Sequence, residues 1–272
     1  MGADIKSLRS RIRSVDSTLH LTKAMGLVAA SKIRRATRTM TRSREYAEAM
    51  DDVVAVLRSS PECARTAYMQ PGGEGTRVVV IAGDRGLAGG YNANVFRLAA
   101  TVPEAEFIPI GKRACERYGK PVVSSEKYPA TEAKKLADEL CRDFREGKFG
   151  RLGILYTRYR SMMSQEATLL WVLPLEKQAK EEKTAEKGEA APVFEPDEQT
   201  VLSAAVPTYV SGLLTACVRE SYASEVAARR MAMDSAGKNA QEMIDNLQLQ
   251  DNRARQTSIT QEITEIVAGS GL

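Results

Sequence analysis

Apolar positions recur along the first part of the chain at steps of three and four. Ile5, Leu8, Ile12, Val15 and Leu19 are spaced 3, 4, 3, 4, the a/d pattern of a coiled-coil seam. Met25, Val28, Ile33, Met40, Met50, Val53, Val54 and Leu57 carry an apolar stripe onward with irregular phase. The first proline is Pro61, and the one glycine interior to the run is Gly26, which costs about 1 kcal/mol against alanine. The pattern predicts a helix over residues 1–58, of which roughly 55 helical residues would span about 80 Å. A mean helix is nearer to about 11–12 residues, so an element of this length does not fold back into a small globule.

The pattern changes after residues 59–76 (SSPECARTAYMQPGGEGT), a turn-rich break. Arg77–Gly83 (RVVVIAG) reads as a buried strand, and further strands are predicted at Glu106–Ile110, Val122–Ser125, Leu152–Tyr156 and Ala167–Leu173. Helical stretches fall between them, most clearly Thr131–Arg145. Alternation of this kind indicates an α/β domain over residues 77–175 with a mainly parallel sheet. The short link Arg160–Gln165 predicts a hairpin and an antiparallel edge strand. Residues 176–198 carry eight acidic side chains and four lysines and little to bury, so they read as a solvated polar connection.

The C-terminal part, 199–272, is helical again. A short helical piece follows Pro196, Pro207 suits a first helical position, and no later proline interrupts the chain. Val210, Leu214, Cys217, Ser221, Ser224, Ala228 and Met231 step 4, 3, 4, 3, 4, 3. The small residues Ala223, Ser224, Ala227 and Ala228 allow a partner helix to approach closely. Two long seam-bearing helices at opposite ends of the chain, with a compact domain between, predict an antiparallel intramolecular coiled coil on a globular base. Gln248–Glu262 (QLQDNRARQTSITQE) is largely polar within that second helix, and from Ile259 onward Ile263, Ile266 and Val267 restore an apolar stripe. A polar helix of this length is either water-exposed or paired with another protein.

Composition narrows the function. The chain has 272 residues, 43% hydrophobic and 27% charged, with a net charge of +4, the profile of a folded protein. Residues 1–45 hold eleven basic side chains against Asp4, Asp16 and Glu45, so this segment is +8 and the rest −4. The longest apolar runs, around Val78–Ala82 and Leu169–Leu175, fall far short of the roughly 20 residues of a membrane span. Charge from Asp4 onward does not suit a secretory signal. Cys63, Cys115, Cys141 and Cys217 lack paired spacing, as expected of reduced thiols. His20 is the only histidine, so neither a zinc site nor a Ser-His-Asp arrangement is expected.

Two chemical readings compete with a partner-binding one. The loop GDRGLAGGYN (Gly83–Asn92) follows a strand and opens a helix, where a phosphate could be cradled. Its glycines at 83, 86, 89 and 90 fit neither the dinucleotide fingerprint nor a Walker A loop; tight backbone geometry explains them better. The basic N-terminal helix, including Arg34, Arg35, Arg38 and Arg42, could bind nucleic acid, but it also carries a seam and has no aromatic before Tyr46. Arg253, Arg255 and Gln256 sit on the polar helix face near the tip of the second helix, where an exposed tip with no core to serve suits a partner. No pairing of carboxylates, nucleophiles or ligands supports catalysis or a cofactor.

Several segments resemble the γ subunit of F-type ATP synthases. They are IRSVDSTLHLTKAM (12–25) with LVAASKIRRA (27–36), GDRGLAGGYNANV (83–95), FEPDEQTVL (194–202), SEVAARRMAMDSA (224–236) and NRARQTSITQEITEIVAG (252–269). The resemblance implies a coiled-coil shaft on a Rossmann-like α/β base. It implies a central-stalk rotor that turns inside a ring of α and β subunits and stands with ε on the membrane c-ring, peripheral at the cytoplasmic face of a bacterial cell membrane. Catalytic residues would belong to the β subunit, and no cofactor, metal or nucleic acid is expected here. Carried over position by position, Lys23, Ala24 and Met25 would face the β-subunit lever. Arg253, Arg255 and Gln256 would meet a β loop, with Gln261, Glu262 and Glu265 nearby. Phe194, Glu195, Pro196 and Asp197 would lie at the foot, toward the c-ring. This chain departs from the family pattern at Ala88, where GLCG is usual, and at Gly26, where a larger residue is expected.

Overall fold

The computed structural model describes residues 2–176 and 194–271, so most of the predicted polar connection at 176–198 lies outside the described residues. In chain order the elements are α1 (Gly2–Ser59), β1 (Thr76–Ile81), α2 (Tyr91–Ala99), β2 (Glu106–Ile110), α3 (Lys112–Tyr118), α4 (Ala130–Arg145), β3 (Arg151–Tyr159), β4 (Gln165–Leu173) and α5 (Glu198–Gly269). The four strands form one sheet in the order β2-β1-β3-β4. β1 runs parallel to β2 and β3, while β4 is antiparallel to β3. The turn between those two is closed by the Arg160 N–H to the Ser164 carbonyl at 3.2 Å. The mixed sheet with an antiparallel edge is the one the hydrophobic pattern predicts.

Three expectations are corrected. Val122–Ser125 is not a strand. The Gly111 N–H reaches the Val123 carbonyl, but the amides of Ser125 and Glu126, which a ladder would need, go instead to the Asp84 carboxylate. Pro207 does not begin a helix; it lies inside α5. An interior proline costs about 3 kcal/mol, and burial on both sides of it offsets this, because Leu202, Val206, Val210 and Leu214 all enter one core. Finally, α5 is long and apolar enough to cross a membrane by length and composition, with a window of mean hydropathy 1.7. Uninterrupted apolar runs did not reveal this. Half of that window is buried within the protein, and Val210, Leu214, Cys217 and Val218 pack with the sheet.

The chain packs as two compact units, Lys32–Ala228 and Met1–Ser31 with Arg229–Leu272. In the first, β1 is buried on both faces, as a central parallel strand must be. Val79 and Ile81 point to a large core shared with α4 (Ala137, Leu140, Phe144), α1 (Val54, Leu57) and α5. Val78, Val80 and Ala82 point to a smaller core with Val95 and Ala99 of α2 and Ala114 of α3. Toward its end, β3 runs beyond the paired part of β1, and α5 supplies the missing partners. The Ser221 hydroxyl accepts the Thr157 N–H at 3.1 Å, Ser224 donates to the Thr157 carbonyl at 3.1 Å, and Glu220 accepts the Tyr159 N–H at 2.9 Å. Ser221 and Ser224, seam positions in the sequence pattern, thus serve the strand. Ala223 takes the helix contact, with Ala36 and Met40.

In the second unit, α1 and α5 run antiparallel. Leu19 packs with Ala240 and Ile244, Arg9 pairs with Asp251 at 3.4 Å, and Arg230 donates to the Gly26 carbonyl at 3.0 Å.

The four cysteines are buried free thiols. Burial pushes the Cys63 thiol up, lifts Cys141 to about 12 and raises Cys217 as well. Since the thiolate is the reactive form, an aromatic disulfide reagent at pH 8 should label fewer than one thiol per native chain within minutes and all four in denaturant. Rapid native labelling of two or more would contradict the packing.

Candidate functional site

In the helix-pair unit, Lys23 and Ala24 are exposed and Met25 is half-buried. Lys23 lines an open groove with Gly26, Arg230, Met233, Asp234 and Lys238. Gly26, the departure from the family pattern, is buried, and its carbonyl receives the Arg230 guanidinium. A Cβ there would stand 3.5 Å from Nη1 of that arginine, in ordinary contact with it.

Arg253, Arg255, Gln256, Gln261, Glu262 and Glu265 are all exposed on the last turns of α5. Their polar contacts are local. Gln261 donates to Glu265 at 3.0 Å and Ser258 to Glu262 at 3.4 Å, each one turn apart. Ile259, Ile263, Ile266 and Val267 are 47–69% exposed. Lys238, beside Lys23, precedes Arg253 by 15 positions, about 22 Å along the helix. The structure therefore presents these residues as two separate patches.

The foot residues belong to the unit Lys32–Ala228. Phe194 packs against its large core, and Glu195 and Pro196 are exposed. Asp197 is the N-cap of α5: its carboxylate accepts the Thr200 N–H at 2.8 Å and hydroxyl at 2.7 Å. The Thr200 amide and hydroxyl hold that carboxyl below its ordinary 3.8. The sequence signal for this role was an aspartate three residues ahead of a threonine at a helix start.

Sequence reasoning missed the polar hub of the unit. Asp84, in the glycine-bearing loop after β1, accepts the Lys112 and Ser125 amides on Oδ1 at 3.0 and 2.9 Å. Its Oδ2 takes the Ser124 hydroxyl at 2.5 Å and the Glu126 amide at 3.0 Å. Burial pushes the Asp84 carboxyl up, but the Ser124 hydroxyl and the three amides outweigh it and hold the group below 3.8. The amide of Lys112, which opens α3, is thereby held by the protein's own carboxylate. A Cβ on Gly83 would lie 2.8 Å from the Glu225 carboxyl carbon, so glycine there leaves room for the Glu225 side chain of α5.

Part of the basic charge of α1 is likewise spent inside the chain. Lys32 pairs with Glu126 and Arg44 with Glu220, each at 2.7 Å, while Arg34, Arg35 and Arg38 are exposed.

Comparison with known proteins addresses the chain as a whole. The sequence profile of the family described as ATP synthase matches residues 4–271. The ATP synthase gamma chain of Ruminococcus albus is 37% identical over 287 aligned positions, covering 98% of both chains. The sodium-ion-specific ATP synthase gamma chain of Acetobacterium woodii is 34% identical, covering 99% of both. Among solved structures, a chain of the Euglena gracilis mitochondrial ATP synthase (OSCP/F1/c-ring) matches with a TM-score of 0.66 at 19% identity, covering 99% of this chain and 94% of that one. A chain of the rotor of the same Euglena assembly matches with a TM-score of 0.64. The structural likeness supports the fold, and the whole-length identity to curated relatives settles kinship: this chain belongs to the ATP synthase gamma-chain family.

Proposed function

We propose that this chain is the central-stalk rotor of an F-type ATP synthase, carrying rotation between a membrane c-ring and the catalytic sites of a ring of α and β subunits, with ε beside it. The observation that carries the reading is family membership along residues 4–271, including both helix ends. The physics of such a machine fits the chain. One shaft within a ring of three like catalytic sites shifts their states only through contacts that differ from site to site. Coupling free energy is reciprocal, so nucleotide state biases shaft angle as shaft angle biases nucleotide state. Catalytic residues then belong to β, and this chain contributes none. It is peripheral, on the cytoplasmic face of a bacterial cell membrane, and touches the membrane only through the complex.

In this reading Lys23 and Met25 form one contact patch toward β and Arg253, Arg255 and Gln256 another, with Gln261, Glu262 and Glu265 beyond. Glu195 faces the c-ring, and Phe194 and Asp197 shape the foot that presents it. A chain cut after Asn252 should leave the unit Lys32–Ala228 melting as in the intact protein, while ATP hydrolysis by the assembled complex loses much of its link to ion pumping. Full coupling in that variant would exclude the tip from the contact. Native mass spectrometry of the tagged chain, purified at moderate salt, should find one copy with a hexameric α/β ring and a small ε partner. A lone monomer, or nucleic acid released by salt, would overturn the rotor reading.

A further inference from the structure

The loop that Asp84 organises ends at Glu126, and Glu126 meets both long helices at once. Its Oε1 accepts Lys32 Nζ of α1 at 2.7 Å and the Tyr222 hydroxyl of α5 at 2.9 Å. Arg85, from the loop after β1, stands 4.0 Å from Oε2. The Glu126 N–H is bound by Asp84, so the backbone carrying the carboxylate is fixed from the sheet side. All of these groups lie in the unit Lys32–Ala228. The Glu126 side chain is 27% exposed and that of Lys32 37%. The Lys32 ammonium, ahead of the cost of burial, holds the carboxyl below its ordinary 4.5, so the group is charged at neutral pH.

Around this joint the helices pack through Ala36, Met40 and Ala223, with Tyr159 and Tyr222 beside them. Those contacts are apolar, small and non-directional, and they resist sliding of one surface over another only weakly. Charge-assisted hydrogen bonds have a required distance and direction. A carboxylate held by the sheet domain and gripping both helices therefore resists relative twist, beside the Arg44–Glu220 pair and the Ser221 and Ser224 bonds that join α1, α5 and β3 farther along.

We propose that Glu126 is a positioning residue for rotary coupling, a polar clasp that ties α1 and α5 to the sheet domain and limits slip as torque passes between them. The proposal rests on the rotor reading. Three variants separate its parts: Glu126→Ala removes the clasp, Lys32→Met frees the α1 side, and Tyr222→Phe frees the α5 side. Glu126→Gln keeps an acceptor for both partners without the charge.

The experiment uses the full complex in sealed vesicles, following ATP hydrolysis and, with a voltage-sensitive dye, the membrane potential it builds. In Glu126→Ala we expect hydrolysis within about twofold of wild type and potential per ATP hydrolysed down roughly two- to fivefold. Glu126→Gln should fall between, and the two single-sided variants should each show part of the loss. Single-molecule rotation should show a wider angular spread of the stalk in Glu126→Ala, a change that lost folding stability alone does not produce. An unchanged ratio and spread would overturn the clasp. So would a loss of hydrolysis and pumping in equal proportion across the variants, because that marks a residue needed only for assembly. A wild-type complex that hydrolyses ATP without building potential overturns the rotor reading, and the clasp with it. Should Glu126→Ala fail to assemble, Tyr222→Phe, which deletes one hydroxyl, decides the matter by the same ratio.

Discussion

Replacing Gly111 by alanine is expected to destabilise the unit Lys32–Ala228 by about 3–5 kcal/mol. Gly111 follows β2 with φ 98° and ψ 141°, in a region that L side chains rarely adopt. It is also jammed: a Cβ there would stand 1.9 Å from the Ala82 carbonyl oxygen and 2.7 Å from its carbon. Those are backbone atoms, and the Ala82 N–H is tied to the Ile110 carbonyl at 2.9 Å, so they do not swing aside as a side chain would. Relief requires parting the ends of β1 and β2, which also disturbs Asp84 two residues beyond Ala82. For a unit of this size the melting temperature should fall by roughly 6–20 °C. Gly119 is the control. Its φ is 62° but nothing lies within 4 Å of its absent Cβ, so Gly119→Ala should cost only about 1–2 kcal/mol. Calorimetry on both variants checks the contrast, and equal melting temperatures would refute the close approach.

Asp84→Ala should be the next most damaging change, at about 2–3 kcal/mol after allowance for partial solvent screening. Four donors converge on its two oxygens, and three are backbone amides with no side chain to turn elsewhere. Asp84→Asn should recover little, because its amide NH2 must replace one oxygen and either oxygen already receives two donors. The pH dependence follows from the direction of the shift. The folded carboxyl sits below its ordinary 3.8, so its contribution is fully present above the unfolded value and disappears as pH falls through the folded one. The stability gap between wild type and Asp84→Ala should be constant from pH 5 to 7 and narrow below about pH 4. Denaturant titrations at pH 7, 5 and 3.5 measure it; a gap that widens on acidification would mean that Asp84 is held as the neutral acid.

The long helices, four of the strands and the antiparallel edge were legible in the sequence because each rests on local pattern. A seam stepping 3, 4, 3, 4 from Ile5 to Leu19 and a run such as RVVVI commit the backbone to one geometry whatever lies around them. The terminal motifs likewise pointed to the family before any contact was known. What local pattern could not supply was the destination of each polar group. Pro207 reads as a helix start until Leu202 and Val206 are seen in the same core as Val210. Val122–Ser125 reads as a strand until Asp84, some forty positions earlier, captures the amides of Ser125 and Glu126. Ser221 and Ser224 read as small seam residues until the end of β3 is found needing their hydroxyls.

The sequence by itself therefore determined the long helices and most of the strands, and through its motifs the family and the work it does. The tertiary structure alone decided what the charged and hydroxyl side chains hold. Periodicity is a property of neighbours along the chain, whereas a buried donor takes its acceptor from whatever the fold brings within about 3 Å. For Asp84 and Glu126 those partners come from segments far apart in sequence.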